Sequence, residues 1–362
     1  MHIHRAVEKG GRYGRILGVG GYLPRRIVTN EEICRTLDSS DEWIRRRTGI
    51  STRRFAGADE TTAMMAAAAA GKALAQAGLT PGDVDCLIAA SMTQLYQAPP
   101  LASEITGLLG TAPAAAFDVS AACAGFCYSL AIANDLVSAG SAECVVVVGS
   151  ERMSDIIDPT DRSTAFIFGD GAGAVVVGPA EQPGIGPVVW GSDPAGLHCI
   201  EQRPAQRESG HPAAETWPYL RMSGPEVYRW VVTQMPDTAQ RALAAARLRP
   251  GDLAAFIPHQ ANLRISEALA KALDLPAHVQ MARDIVDIGN TSAASIPLAM
   301  ERMLTVGEVP GGAPALLIGF GSGLGYAAQV AMLPLCGPSG HAALSPTCPV
   351  AGCPERHVPV AG

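Results

Sequence analysis

The chain has 362 residues, 48% of them hydrophobic but only 5% aromatic, with 39 glycines and a net charge of −7. This is the length and the Ala/Gly/Val-rich balance of an α/β protein with a large core, and its longest apolar runs, such as Val145 to Val148, fall far below the roughly 18 residues of a membrane span. The acidic charge argues against nucleic acid as a partner, and nine cysteines, an odd number, suit reduced thiols better than a disulfide framework.

The N-terminus, Met-His-Ile-His-Arg-Ala-Val-Glu-Lys-Gly-Gly, lacks an apolar segment of the secretory kind, so a cytoplasmic location is expected. Residues 1 to 55 carry 12 of the 27 Lys and Arg against six acidic residues. Arg25, Arg26, Arg45, Arg46, Arg47, Arg53 and Arg54 belong to this run, which reads either as a solvated basic face or as one that attracts phosphates or an acidic protein.

In the segment Phe117-Asp-Val-Ser-Ala-Ala-Cys-Ala-Gly-Phe-Cys127 a strand end gives way to small residues. An apolar stretch at helical spacing follows and stops at Gly140. Cys123 is thereby placed at a helix start, where unpaired N–H groups and the macrodipole favour a thiolate. Further on, Phe168-Gly-Asp-Gly-Ala-Gly-Ala174 reads as a glycine-rich strand turn, and the Pro-rich stretch from Gly191 to Pro218 as a long loop. Leu253 to Pro258 reads as a buried strand ending at His259, Asp287 to Ser295 as a second strand end with Asn290 at its turn, and Ala315 to Gly325 as a third with a glycine-rich turn. A lone His or Asn at such a place is ordinarily a satisfied core polar group. Three strand ends together with a Cys at a helix start instead fit nucleophilic catalysis at a carbonyl. Neither glycine run holds a full G-x-G-x-x-G, so no nucleotide cofactor is expected. After Pro334 the chain has no periodicity and reads as disordered; His341, Cys348, Cys353 and His357 there match no common zinc spacing.

Five motifs, in order, carry a resemblance covering about Arg15 to Leu333. They are Asp41-Glu-Trp-Ile-Arg-Arg-Arg-Thr-Gly-Ile50, Asp118-Val-Ser-Ala-Ala-Cys-Ala-Gly-Phe126, the Phe168 run, Pro258-His-Gln-Ala-Asn-Leu-Arg264 and Gly289-Asn-Thr-Ser-Ala-Ala-Ser295. The chain resembles the β-ketoacyl-acyl-carrier-protein synthase III family of the thiolase superfamily. Asn290 sorts it from elongating synthases, which carry a second His, and from thiolases, which carry a second Cys. Chalcone-synthase-like enzymes share Cys, His and Asn within different motifs.

The resemblance implies a duplicated thiolase-like α/β fold in five layers, αβαβα. It divides the chain into an extension (1–14), a half with the nucleophile (15–180), a half with His and Asn (181–335) and a tail (336–362). It implies that Cys123 takes an acyl group from acyl-CoA, with the backbone N–H groups of Cys123 and Ser322 as oxyanion hole. His259 and Asn290 would then assist decarboxylation of malonyl-acyl-carrier protein, whose carbanion attacks the acyl-Cys. Trp43 and Arg47 correspond to residues flanking coenzyme A, Arg264 is expected to meet an acidic carrier protein, and Ala98 to stand at the end of the acyl pocket. A homodimer is implied, and no metal or organic cofactor beyond the coenzyme A thioester substrate. Asp287 and Ile288 replace the basic and aromatic residues of housekeeping enzymes, so the chain looks more like synthases that prime polyketide pathways. Fatty-acid initiation, acyl transfer to a hydroxyl or amine, and a catalytically silent subunit are the alternatives.

Overall fold

A computed structural model of the chain describes residues 12–96, 98–202 and 218–335. The tail with its Cys and His residues and the middle of the central stretch lie outside these. Ten strands form two five-stranded sheets. The first runs, edge to edge, Tyr13–Tyr22, Gly171–Ala180, Val145–Glu151, Cys86–Ala90 and Ala115–Val119; the second runs Val189–Ser192, Gly325–Met332, Pro314–Gly321, Ala255–Pro258 and Gln280–Met281. Numbered within its own half, each sheet has the order first, fifth, fourth, second, third. The halves therefore share one topology, as a duplicated fold requires.

Two helices, Gly125–Ser138 and Ser295–Thr305, fill the space between the sheets. Their apolar side chains, among them Phe126, Leu130, Ile296 and Met300, join both inner sheet faces in one buried cluster. Outside the first sheet lies Thr62–Ala77, an alanine-rich helix capped by the Thr61 hydroxyl accepting from Met64 N and closed at Gly78 with φ +70°. Outside the second sheet lie Gly224–Ala245 and Leu263–Ala272, which cover a separate cluster around Phe256 and Leu316. The result is the five-layer αβαβα architecture.

Three local expectations need correction. The residues before Asn290 form a short helix, Ile285–Ile288, and not a strand; its first N–H is taken by the buried Gln260 side chain, Oε1 accepting at 3.2 Å, which favours a helical start. The stretch after Gly191 is not a plain loop in its described parts. A turn at Pro194–Cys199 leads into Ile200–Gln202, which pairs antiparallel with Leu220–Met222. Arg53 is no part of a basic face either. It is fully buried on the ribbon strand Thr52–Phe55 and donates to the carbonyls of Phe166 (2.7 Å) and Val28 (3.4 Å).

Candidate active site

Cys123 lies in a tight turn, Ala122–Ala124, between the end of Ala115–Val119 and the helix Gly125–Ser138. Ala122 turns the chain in the left-handed region at φ +44°, a conformation that costs a non-glycine residue about 1–2 kcal/mol. The pseudo-equivalent turn of the other half, Ser292–Ala294 before Ser295–Thr305, repeats this at Ser292 with φ +49°. Two glycines let the halves meet here. A Cβ on Gly149 would stand 2.3 Å from the Ala293 carbonyl oxygen, and one on Gly319 3.1 Å from Ala124 Cα.

The strand Pro314–Gly321 ends against the nucleophile, where a Cβ on Gly321 would lie 2.8 Å from Cys123 N. Only glycine permits that approach, and the next residue, Ser322, lines the same cavity as Cys123. The Ser322 hydroxyl is committed elsewhere, donating to Ile200 O at 2.7 Å. His259 follows Ala255–Pro258 and is 2% exposed, with its ring edge-on to Phe320. Its Nδ1 lies 2.7 Å from Ser295 Oγ. Asn290 is held by a single parallel bridge to Phe168, its N–H donating to Ile167 O at 2.9 Å. Its Oδ1 accepts from Ser292 N at 2.9 Å, which turns the amide nitrogen toward the cavity that Asn290 lines.

Burial sets the charge states. It pushes the Cys123 thiol up to about 12 and the His259 imidazole down to about 3, so both groups are neutral at rest. Desolvation thus outweighs the helix-start effect expected from the sequence. Glu151, at the end of Val145–Glu151, is fully buried near Cys123, and burial raises its carboxyl. Thr93 Oγ1, Met92 N and Ser91 Oγ donate to it. The Ser292 hydroxyl faces both Cys123 and Glu151 and partly offsets each shift.

A cavity of about 550 Å³ opens onto these groups and is lined by Cys123, His259, Asn290 and Ser322, with Trp43, Arg47 and Arg264 also on its walls. Phe166, Ile200, Leu220 and Phe320 give it an apolar interior. Trp43 packs edge-on against Phe166, with the Arg162 guanidinium over its ring, and Arg264 lies over Tyr228. Ala98 is not among the lining residues: it is exposed, next to the helix Leu101–Leu109, whose N-terminus Asp118 caps from the edge strand. Sequence reasoning missed Arg162, Tyr228, Glu151 and the Ser295 support of His259. Ser295 alone sat inside a quoted motif.

Residues 117–194 match the family described as 3-oxoacyl-[acyl-carrier-protein (ACP)] synthase III, and residues 243–333 the C-terminal part of the same family. A β-ketoacyl-[acyl-carrier-protein] synthase III of Streptomyces glaucescens is 53% identical over 326 residues, covering 90% of this chain and 98% of that protein. The chain belongs to the synthase III family. A mycobacterial synthase III from Mycobacterium avium is 49% identical over 88% of the chain and 95% of its own length. Among solved structures, the priming β-ketosynthase of the R1128 polyketide pathway superposes with a TM-score of 0.88 at 48% identity, covering 92% of this chain and all of that one. The synthase III of Pseudomonas aeruginosa PAO1 gives 0.82 at 39% identity, covering 90% and 100%. The protein is accordingly an acyl-transferring condensing enzyme with a thiolase-like fold, of the synthase III type that primes chain assembly.

Proposed function

We propose that this synthase III loads an acyl group from acyl-CoA onto Cys123 and condenses it with malonyl-acyl-carrier protein to give 3-oxoacyl-carrier protein. The observation that carries the assignment of residues is the convergence of Cys123, His259, Asn290 and Ser322 on one cavity. In the first half-reaction the thiol adds to the thioester, two N–H groups receive the oxyanion, and the thiol proton ends on the departing coenzyme A sulfur. Because the resting thiol is neutral, charge develops only where those donors wait, which is the arrangement that lowers a barrier. In the second, the malonyl carboxylate leaves as carbon dioxide, and His259 and Asn290 donate to the thioester oxygen as it becomes an enolate. The enolate carbon attacks the acyl-Cys, and the released Cys123 sulfur takes up one proton. These groups complete the chemistry without a metal or organic cofactor.

Trp43 and Arg47 would take the adenine and phosphates of coenzyme A, and Arg264 the acidic carrier. The edge strand Ala115–Val119 leaves one side unpaired and exposes Phe117. A second copy added along that edge gives a homodimer and would cover Ala98. The priming role in a polyketide pathway draws support from the likeness to the R1128 enzyme and from Asp287 and Ile288, with fatty-acid initiation as the second reading. The site of action is the cytoplasm, where acyl-CoA and carrier substrates are made; among the described residues no helix is long and apolar enough to cross a membrane.

The test is intact-mass analysis after incubation with a panel of acyl-CoAs, followed by decarboxylation assays. One acyl group should map to Cys123, none to Cys127, which is fully buried, and Cys123→Ala should take up none. His259→Ala and Asn290→Ala should acylate yet lose about 100- to 1,000-fold in decarboxylation, the usual cost of one such donor. Acyl transfer retained by Cys123→Ala would overturn the reading.

A further inference from the structure

Behind the wall of the catalytic cavity, three ligand-type atoms of different chemistry converge. His198 Nε2 and Glu226 Oε2 are 3.1 Å apart, and Cys199 Sγ lies 3.7 Å from the first and 3.8 Å from the second. Among the described residues this is the one such group. Zinc bonds of about 2.0–2.1 Å to nitrogen, 2.0–2.2 Å to oxygen and 2.3 Å to sulfur, at tetrahedral angles, require edges of about 3.4 Å for N···O and about 3.6 Å for each edge to sulfur. All three observed edges fall within a few tenths of an ångström of that requirement.

The surroundings fit a held site. Glu226 is oriented by its other oxygen, Oε1 accepting from Ser223 Oγ at 2.6 Å, the kind of outer partner that steadies a ligating carboxylate. Ser223 N donates to Cys199 O at 2.8 Å, which fixes the turn against the first turn of Gly224–Ala245. The His198 and Glu226 side chains are 66% and 42% exposed, so an ion has an approach path and a fourth position opens to water. We propose that His198 Nε2, Cys199 Sγ and Glu226 Oε2 form a tetrahedral site for a zinc-class divalent cation, completed by one water. The adjacent His-Cys pair and a Glu 27 residues later match no standard ligand spacing, which is why the sequence suggests no metal here. The role is structural rather than chemical. The cation ties the Pro194–Cys199 turn to the start of Gly224–Ala245, and the next residue, Ile200, lines the cavity and accepts from the Ser322 hydroxyl.

The experiment is cobalt titration of the full chain after EDTA treatment, with Co²⁺ alone as probe. One equivalent should produce the intense visible bands of a tetrahedral ion and a near-ultraviolet sulfur-to-cobalt band, both displaced by Zn²⁺. Cys199→Ser should lose the sulfur band, and the exposed His198→Ala should weaken binding by about tenfold or more. Zn²⁺ should raise the thermal midpoint of the wild type but not of His198→Ala. The double variant Cys348→Ser/Cys353→Ser should keep the whole spectrum. No tetrahedral cobalt spectrum in the wild type, one that survives Cys199→Ser unchanged, or one lost in the Cys348/Cys353 variant overturns the proposal.

Discussion

Ser295 Oγ accepts the Gln260 N–H at 3.2 Å and lies 2.7 Å from His259 Nδ1. Donation of its own proton to Nδ1 is the arrangement that leaves the ring proton on Nε2, the tautomer the proposed enolate step requires. Ser295→Ala leaves a buried acceptor unpaired, a loss of about 1–3 kcal/mol. Decarboxylation of malonyl-carrier protein should fall about tenfold or more while loading of Cys123 stays near normal. Equal loss in both half-reactions would instead mark Ser295 as merely structural. Cys123, His259 and Asn290 were legible because their motifs name them. Depth was not legible: Arg53 and Arg54 look alike in sequence, but strand alternation sends one inward and the other to the edge, and Ala98 before a proline gives no sign of lying outside the cavity.

At the scale of elements, the reciprocal glycines decide how closely the halves approach. In Gly149→Ala the new methyl meets the Ala293 carbonyl oxygen, a backbone atom 2.3 Å away that cannot rotate aside. Overpacking of this kind costs about 1–3 kcal/mol, and here the strained turn next to Asn290 must move too. Urea unfolding should show a lower midpoint, and activity should fall further than stability; a variant as stable as the wild type would show that the interface is slack. The helix Leu263–Ala272 supports a separate test, since Arg264 emerges at its first turn over Tyr228. Arg264→Glu should raise KM for malonyl-carrier protein, most at low ionic strength, with acylation by free acyl-CoA unchanged. A KM that does not move at either salt concentration excludes docking there. The elements flanking the site, Gly125–Ser138, Ala255–Pro258 and Pro314–Gly321, followed from periodicity and glycine punctuation. Ile285–Ile288 did not, because four residues, Asp287 among them, are too few to show either a helical or a strand period, and its first N–H goes to the buried Gln260 side chain.

For the molecule as a whole, burial of thiols sets an alkaline limit. Cys123 and Cys127 are pushed up to about 12 and Cys144 to about 11, against 9.0 ordinarily. A raised folded value means that the unfolded chain ionises first, so the contribution is complete below about pH 9 and is lost as pH rises toward 11 to 12. His259 works at the other end: its value is depressed from 6.5 to about 3, so its contribution holds above pH 6.5 and is lost as pH falls toward 3. Urea midpoints should fall above pH 9, where a flat profile to pH 11 would show the thiols ionise without unfolding. The duplicated architecture could be anticipated from the two glycine-rich strand ends and the resemblance. The matching strand orders could not, because sheet order depends on which strands pair across long crossovers.

The helix Ser295–Thr305 belongs by sequence to the second half, yet Pro297 and Leu298 pack on Gly173 of the first sheet. On a ribosome the first half is finished long before its cover exists. At about 5–20 residues per second, the inner face of Gly171–Ala180 waits roughly ten seconds for Ser295–Thr305 to emerge. The nascent chain must spend that interval with part of an apolar sheet face bare, which makes it a client for whatever shields such surfaces in the cell.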